Sequence, residues 1–226
     1  MQIRFGERPH PQTVAAAAAL RRLTGLLLSL EHPHPTVDGI LDQVTAWVRE
    51  LTQAAPPDPA PRVGEHAADA NRRIYLDHAF DIGAYNPCFP EYRFDSLDTD
   101  SATGRVTFPL VYEGPPGLVH GGFLGVFFDA VVQHHSCAVG VTGKTRSLTV
   151  TYRRPTPLAT ELSFEIVRTA AERGIESTAV LRQGEDVLCR AEVATVAAST
   201  ERLTGTRYGR RGARSLPAAQ QKEVYP

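Results

Sequence analysis

Apolar positions recur along this chain with two different periods, and the change of period divides it. Between residues 12 and 30, Leu20, Leu23, Leu27 and Leu30 fall at helical spacing on one stripe. Between 36 and 52, Val37, Ile40, Leu41, Val44, Trp47, Val48 and Leu51 do the same. His32-Pro33-His34-Pro35 separates the two as a turn, Thr36 reads as an N-cap, and Asp38 sits in the first turn. The pattern predicts an αα-hairpin too small to stand alone, whose apolar seam docks on the rest of the chain or on a second copy. A Pro- and Ala-rich stretch at 54–61 reads as a linker. Beyond it the apolar residues shift to strand-like runs, predicting strands at 91–97, 104–113, 145–154, 160–170, 174–183 and 186–198. One segment breaks that pattern. Residues 121–138 are too long and too apolar for a strand and predict a buried helix, greasy on nearly every side. The expected class is α+β, in three zones: 1–60 as hairpin and linker, 61–200 as the main domain, and 201–226 as a basic flexible tail. Arg202, Arg207, Arg210, Arg211 and Arg214 mark that tail, with few apolar anchors among them.

Composition narrows the class without naming a chemistry. The 226 residues are 42% hydrophobic and 22% charged, as in a soluble globular protein with a full core. A net charge of −1 argues against a dedicated nucleic-acid binder. Cys88, Cys137 and Cys189 form an odd set with no Cys-x-x-Cys pair, which favours a reducing cytoplasmic location over a disulfide framework or a cysteine-based metal site. Arg21-Arg22 interrupts the apolar stretch near the N-terminus, so no secretory signal is expected there, and no run approaches the length of a membrane span.

The most informative residues are His120-Gly121-Gly122 at the mouth of the predicted helix and Asp129 within it. Two glycines at a helix start leave backbone N–H groups uncovered by any Cβ. A carboxylate inside an apolar helix is costly unless it is bonded or used for chemistry. Together they are two halves of an acyl-transfer site, the oxyanion donor and the base or nucleophile. Asp129 lies seven residues past Gly122 and eight past Gly121. That is roughly 10–12 Å along a helix at about 1.5 Å per residue. A reacting carbonyl must sit about 3 Å from both groups. One copy of the helix cannot serve one carbonyl with both. The spacing therefore points to a symmetric dimer, or a dimer of dimers, in which a second chain supplies the other half.

Over about 45 residues the chain resembles the hotdog-fold thioesterases of the 4-hydroxybenzoyl-CoA and phenylacetate-pathway type. The resemblance rests on Gly117-Leu118-Val119-His120-Gly121-Gly122, on Asp129 two turns into the helix, and on a strand ending Tyr152-Arg153-Arg154-Pro155. It implies an antiparallel sheet wrapped around one long central helix. It also implies that an amide of Gly121 or Gly122 polarises the thioester carbonyl, while Asp129 activates water or attacks directly. One branch of the family carries a Thr sixteen residues past the acid, where Thr145 stands. The family histidine commonly buttresses the turn, which is the role implied for His120. Some relatives bind near the thioester with an Asn, which suggests Asn86, although Asn86-Pro87 is also an ordinary turn. Arg153 and Arg154 are candidates for the phosphates of a nucleotide carrier, coenzyme A ahead of an acyl-carrier protein.

No cofactor or metal is called for, since a thioester is already activated. His134 and His135 are adjacent, and adjacent helical side chains diverge by about 100°, which suits no shared ion. One is expected near the pocket and the other at a helix edge. A hydratase or dehydratase on the same fold would use a motif such as His-Phe-x-Gly-x-Pro, which is absent here. A non-catalytic acyl-binding regulator would need a basic recognition helix. Residues 1–53 instead set Arg4, Arg8, Arg21, Arg22 and Arg49 against Glu7, Glu31, Asp38, Asp42 and Glu50. Phe123, Phe127 and Phe128 either line an acyl pocket or pack the core, with packing the default. The acyl group itself is left open.

Overall fold

The computed structural model describes residues 11–54, 81–139, 143–171 and 174–197. Helices α1 (Pro11–Leu28) and α2 (Pro35–Ala54) come first, followed by a single turn, α3 (Ile82–Tyr85). Strands β1 (Tyr92–Leu97) and β2 (Ser101–Thr107) precede the long helix α4 (Gly121–Ala138). Strands β3 (Gly143–Tyr152), β4 (Glu161–Ala171), β5 (Gly174–Gln183) and β6 (Asp186–Ala197) complete one antiparallel sheet, in the order β1-β2-β4-β5-β6-β3. Strict alternation puts Ala102 and Val106 of β2, and Leu162, Phe164 and Ile166 of β4, on the face that α4 covers. Phe127 and Phe128, at 0% exposure, close the core from the helix side, and Phe127 meets Phe164 edge-to-face at 5.4 Å. Both rings therefore pack the core. This is the sheet-around-one-helix arrangement that the resemblance implies.

One strand differs from expectation. β2 runs over Ser101–Thr107 rather than 104–113. Pro109 has no N–H for a ladder, and the chain turns there into a 3-10 helix over Leu110–Tyr112. That turn buries Phe108 and Tyr112 at the end of α4 nearest Gly121, with Tyr112 against Phe123 at 5.0 Å.

Within one chain the leucine stripe is not what docks the N-terminal segment, and of its members only Leu23 is half-buried. Leu20, Leu27 and Leu30 are exposed, while Ala17 and Arg21 are buried. Arg21 is 4% exposed because its fork matches a cluster of acceptors at the C-terminal side of α3. Its Nη2 donates to the carbonyls of Gly83 (2.6 Å), Phe89 (3.1 Å) and Asn86 (3.3 Å), and its Nε donates to Tyr112 Oη (3.2 Å). The Glu91 carboxylate lies 2.7 Å from Nη1. A guanidinium with that many partners outcompetes a leucine face for the docking position. Arg21→Met should lower unfolding stability by on the order of 2–4 kcal/mol, since it leaves buried carbonyls without donors. A denaturant midpoint unchanged from wild type would contradict this anchoring role. No residue of α2 is buried. The linker beyond Ala54 and the basic tail lie outside the described residues.

His135 is not at a helix edge. It is fully buried, with Nε2 2.6 Å from the Asp98 carbonyl. His134 lies between Tyr92 and Phe94, and burial, helped by His135, lowers its imidazole to about 4. It is therefore neutral near pH 7, and its Nδ1 shares a hydrogen bond with Tyr92 Oη at 3.1 Å. No helix among the described residues is long and apolar enough to cross a membrane.

Candidate active site

Asp129 sits half-buried near the middle of α4, on the side facing β3. Thr145 Oγ1 donates to Asp129 Oδ1 at 2.6 Å, so the two residues that the resemblance pairs do meet. Their meeting depends on a backbone irregularity. Leu148, Val150 and Tyr152 lie opposite Val193, Ala191 and Cys189, all buried core positions of β6. By simple alternation Thr145 would point away from them. Arg146 is an extra residue in β3, and the register shift between Thr145 and Ser147 restores Thr145 to the helix-facing side, opposite buried Thr195. Without that bulge Asp129 would have no strand hydroxyl.

A third member of the cluster was not anticipated. Gln133 Nε2 lies 2.7 Å from Thr145 Oγ1, which makes a chain Gln133–Thr145–Asp129. Its signal was legible in principle, since Gln133 is four residues past Asp129 and shares its helix face.

At the helix start, His120 is the N-cap, with extended backbone (φ −65°, ψ 131°). Its Nδ1 accepts the Gly122 N–H at 3.0 Å, and its carbonyl accepts from Phe123 and Leu124. That leaves the Gly121 N–H as the first-turn donor with no partner among the described residues. The buttressing role implied for His120 thus has a direct consequence. By occupying the Gly122 N–H, His120 leaves the Gly121 N–H as the open amide of the pair that the resemblance implicates. Tyr152, at the end of β3, donates to the Gly121 carbonyl at 2.9 Å and ties the helix start to the strand. A side chain at Gly121 would have its Cβ 3.1 Å from Tyr152 Oη.

The remaining candidates are dispersed. Asn86 follows α3, where its Oδ1 accepts the Cys88 N–H at 3.0 Å in a local turn. Among the described residues no hydrogen bond joins it to Asp129 or Thr145. Arg153 and Arg154 are exposed just past Tyr152. Arg154 reaches Asp186 at 3.2 Å, while the Arg153 guanidinium has no ion-pair partner among the described residues. No group of three His, Cys, Asp or Glu side chains suited to a metal ion occurs among the described residues.

No protein-family model matches the chain. Among solved structures, a thioesterase superfamily protein superposes with a TM-score of 0.67 at 26% identity, over 85% of this chain and 98% of that one. A phenylacetic acid degradation-related protein from Ralstonia eutropha aligns with a TM-score of 0.43 at 21% identity, over 47% of this chain and 84% of that one. A protein named as a hypothetical thioesterase, solved with coenzyme A from Streptococcus pneumoniae, aligns with a TM-score of 0.47 at 15% identity, over 50% and 89%. The first of these likenesses extends over a whole protein rather than a single motif, and the sheet-on-helix core agrees with it: the chain belongs to the hotdog-fold thioesterase superfamily.

Proposed function

We propose that this protein hydrolyses acyl thioesters carried on coenzyme A, as a homodimer whose two sites are each built from both chains. The observation that carries the reading is the Thr145–Asp129 bond at one end of β3, with Gly121, whose amide is open, tied through its carbonyl to Tyr152 at the other end. β3 is the last strand of the sheet, and its outer edge is unpaired over ten residues among the described residues. A long free edge is a ready template for a second strand. Pairing two β3 strands antiparallel, about a two-fold axis through Thr149, sets Leu148 opposite Val150 and, because the bulged Arg146 adds no rung, Thr145 of one copy opposite Tyr152 of the other. Tyr152 holds Gly121, so the Asp129 of one chain comes to the free amide of its mate. This supports the shared site that the roughly 10–12 Å spacing along one helix requires.

In such a site the free Asp129 oxygen takes a proton from water as the water oxygen attacks the thioester carbonyl carbon. The carbonyl π pair moves onto oxygen, where the Gly121 N–H of the second copy stabilises it. Collapse re-forms the carbonyl and breaks the C–S bond. The leaving thiolate takes the proton back from Asp129, giving a carboxylic acid and a free thiol. Direct attack by the carboxylate would use the same groups through an acyl-aspartyl anhydride. In a single turnover in isotopically labelled water, label in Asp129 marks an anhydride hydrolysed at its aspartyl carbon, a result that the general-base route cannot give.

The test is a panel of aromatic, short-chain and long-chain acyl-CoA thioesters with detection of free thiol. Release that disappears in Asp129→Asn supports the proposal, and no release from any member by folded protein defeats it. Carrier recognition has its own readout. Arg153→Ala should raise KM for CoA thioesters about 5-fold, as for loss of one guanidinium–phosphate contact. It should leave N-acetylcysteamine thioesters, which lack phosphate, unaffected. Equal effects on both substrates would remove Arg153 from carrier binding.

A further inference from the structure

Gln133 has no part in the mechanism above, yet its side chain touches Thr145, the hydroxyl that bonds the acid among the described residues. We propose that Gln133 is a positioning residue that fixes the direction of the Thr145 hydroxyl and so aims the Asp129 carboxylate; the proposal rests on the thioesterase reading of the site.

The argument is one of donor and acceptor inventory. A carboxylate only accepts, so in the 2.6 Å contact with Asp129 Oδ1 the Thr145 hydroxyl must donate its single proton. Thr145 Oγ1 is then left with acceptor capacity alone, and the Gln133 contact at 2.7 Å must be made by the amide NH2 group. The direction of the chain follows from these properties: Gln133 donates to Thr145, and Thr145 donates to Asp129. A lone hydroxyl can rotate among three staggered positions, but a donor seated on its lone pair excludes the rotamer that turns the proton away from Asp129. Three independent elements of the structure converge on this one contact. Gln133 shares the face of α4 with Asp129, one turn on. The β3 bulge at Arg146 turns Thr145 inward to meet both. All three residues are half-buried, where fixed hydrogen bonds are stronger than in bulk water.

The arrangement leaves Asp129 Oδ2 without a hydrogen-bond partner among the described residues, as the oxygen available to water or substrate. It also changes what Thr145 does. Its proton is committed to the carboxylate, so it orients the acid rather than donating to the attacking water.

The test is a double-mutant cycle read as kcat and KM separately, on full-length dimeric protein. Gln133→Leu removes the donor. Gln133→Glu keeps the size and shape and replaces the donor with an acceptor, to which the Thr145 hydroxyl can turn. Both should lower kcat about 10-fold while KM stays within about 2-fold, as expected when the attacking group loses orientation but binding is untouched. In a Thr145→Val background both should cost less than about 2-fold, because Gln133 acts only through that hydroxyl. Wild-type kcat in Gln133→Glu would overturn the proposal. So would a Gln133→Leu loss as large in the Thr145→Val background as in wild type, since a packing role would be additive.

One readout is independent of activity. The side-chain amide proton resonances of Gln133 should move on Thr145→Val, and their failure to move overturns the inferred contact. If wild-type protein releases no thiol from any thioester, the functional reading falls, while this resonance shift still decides the hydrogen-bond order.

Discussion

Asp129→Asn should lower thioester turnover by at least about 100-fold, the scale of losing a general base, with fold and assembly intact. The substitution is nearly isosteric. Its side-chain carbonyl can still accept the Thr145 hydroxyl at the position where Asp129 Oδ1 accepts it at 2.6 Å. Local geometry should therefore survive, and what disappears is the second carboxylate oxygen with its charge. Thiol-release kinetics, together with circular dichroism and sedimentation, provide the measurement. Near-wild-type kcat in Asp129→Asn and Asp129→Ala would end the assignment of this residue to the chemistry and leave it a structural partner of Thr145. The expected loss exceeds that for Gln133 because, in the proposed mechanism, Asp129 moves the proton or makes the bond, whereas Gln133 only aims it.

Mixing two dead variants should restore activity to about half of native per heterodimer, as two-fold symmetry requires. The pair is Asp129→Ala in one chain and Gly121→Pro in the other. Proline at 121 removes the first-turn amide that has no partner among the described residues, and it does so at the first helical position, where proline is well tolerated. The preceding His120 already has the extended ψ of 131° that a residue before proline prefers. The new ring must displace Tyr152, whose Oη would lie 3.1 Å from the added Cβ; Tyr152 is 55% exposed and has room to shift. The same substitution at Gly122 would be a poorer test, because it destroys the cap bond to His120 Nδ1. In the heterodimer one site carries both lesions and the other carries neither. Heterodimers verified by mass that stay inactive, with both parents folded, would mean that acid and amide are not shared across an interface.

The elements that were legible in sequence are those whose local pattern has one physical solution. Residues 121–138 are too apolar and too long for anything but a buried helix, and α4 occupies that span. β5 alternates cleanly, and the turn that joins it to β6 passes through Gly184 in the left-handed region at φ 56°, which favours a glycine. β2 was misjudged by several residues, because strand propensity in Leu110-Val111-Tyr112 says nothing about how Pro109 redirects the backbone into a 3-10 turn.

The site divides in the same way. The glycine-opened helix start and the acid two turns later are local to one helix, so sequence by itself determined both, and their separation along that helix implied a second chain. It could not determine which glycine keeps a free amide. That choice turns on the His120 ring folding back onto Gly122, a side-chain rotamer set by the surrounding turn. Nor could it determine that Thr145 faces Asp129. Strand parity reverses at a single unpaired residue, Arg146, and a bulge is a property of how β3 pairs with β6 rather than of β3 alone. Arg21 follows the same rule. On its helix it interrupts a leucine stripe, and only the carbonyls of Gly83, Asn86 and Phe89, gathered around α3 62 to 68 residues further along the chain, make it the residue that docks. Periodicity is written in neighbouring residues, whereas hydrogen-bond partners are assigned only when remote segments meet. The sequence therefore determined the elements and the side chains they carry, and the tertiary structure decided which of their atoms are partnered and which are left open.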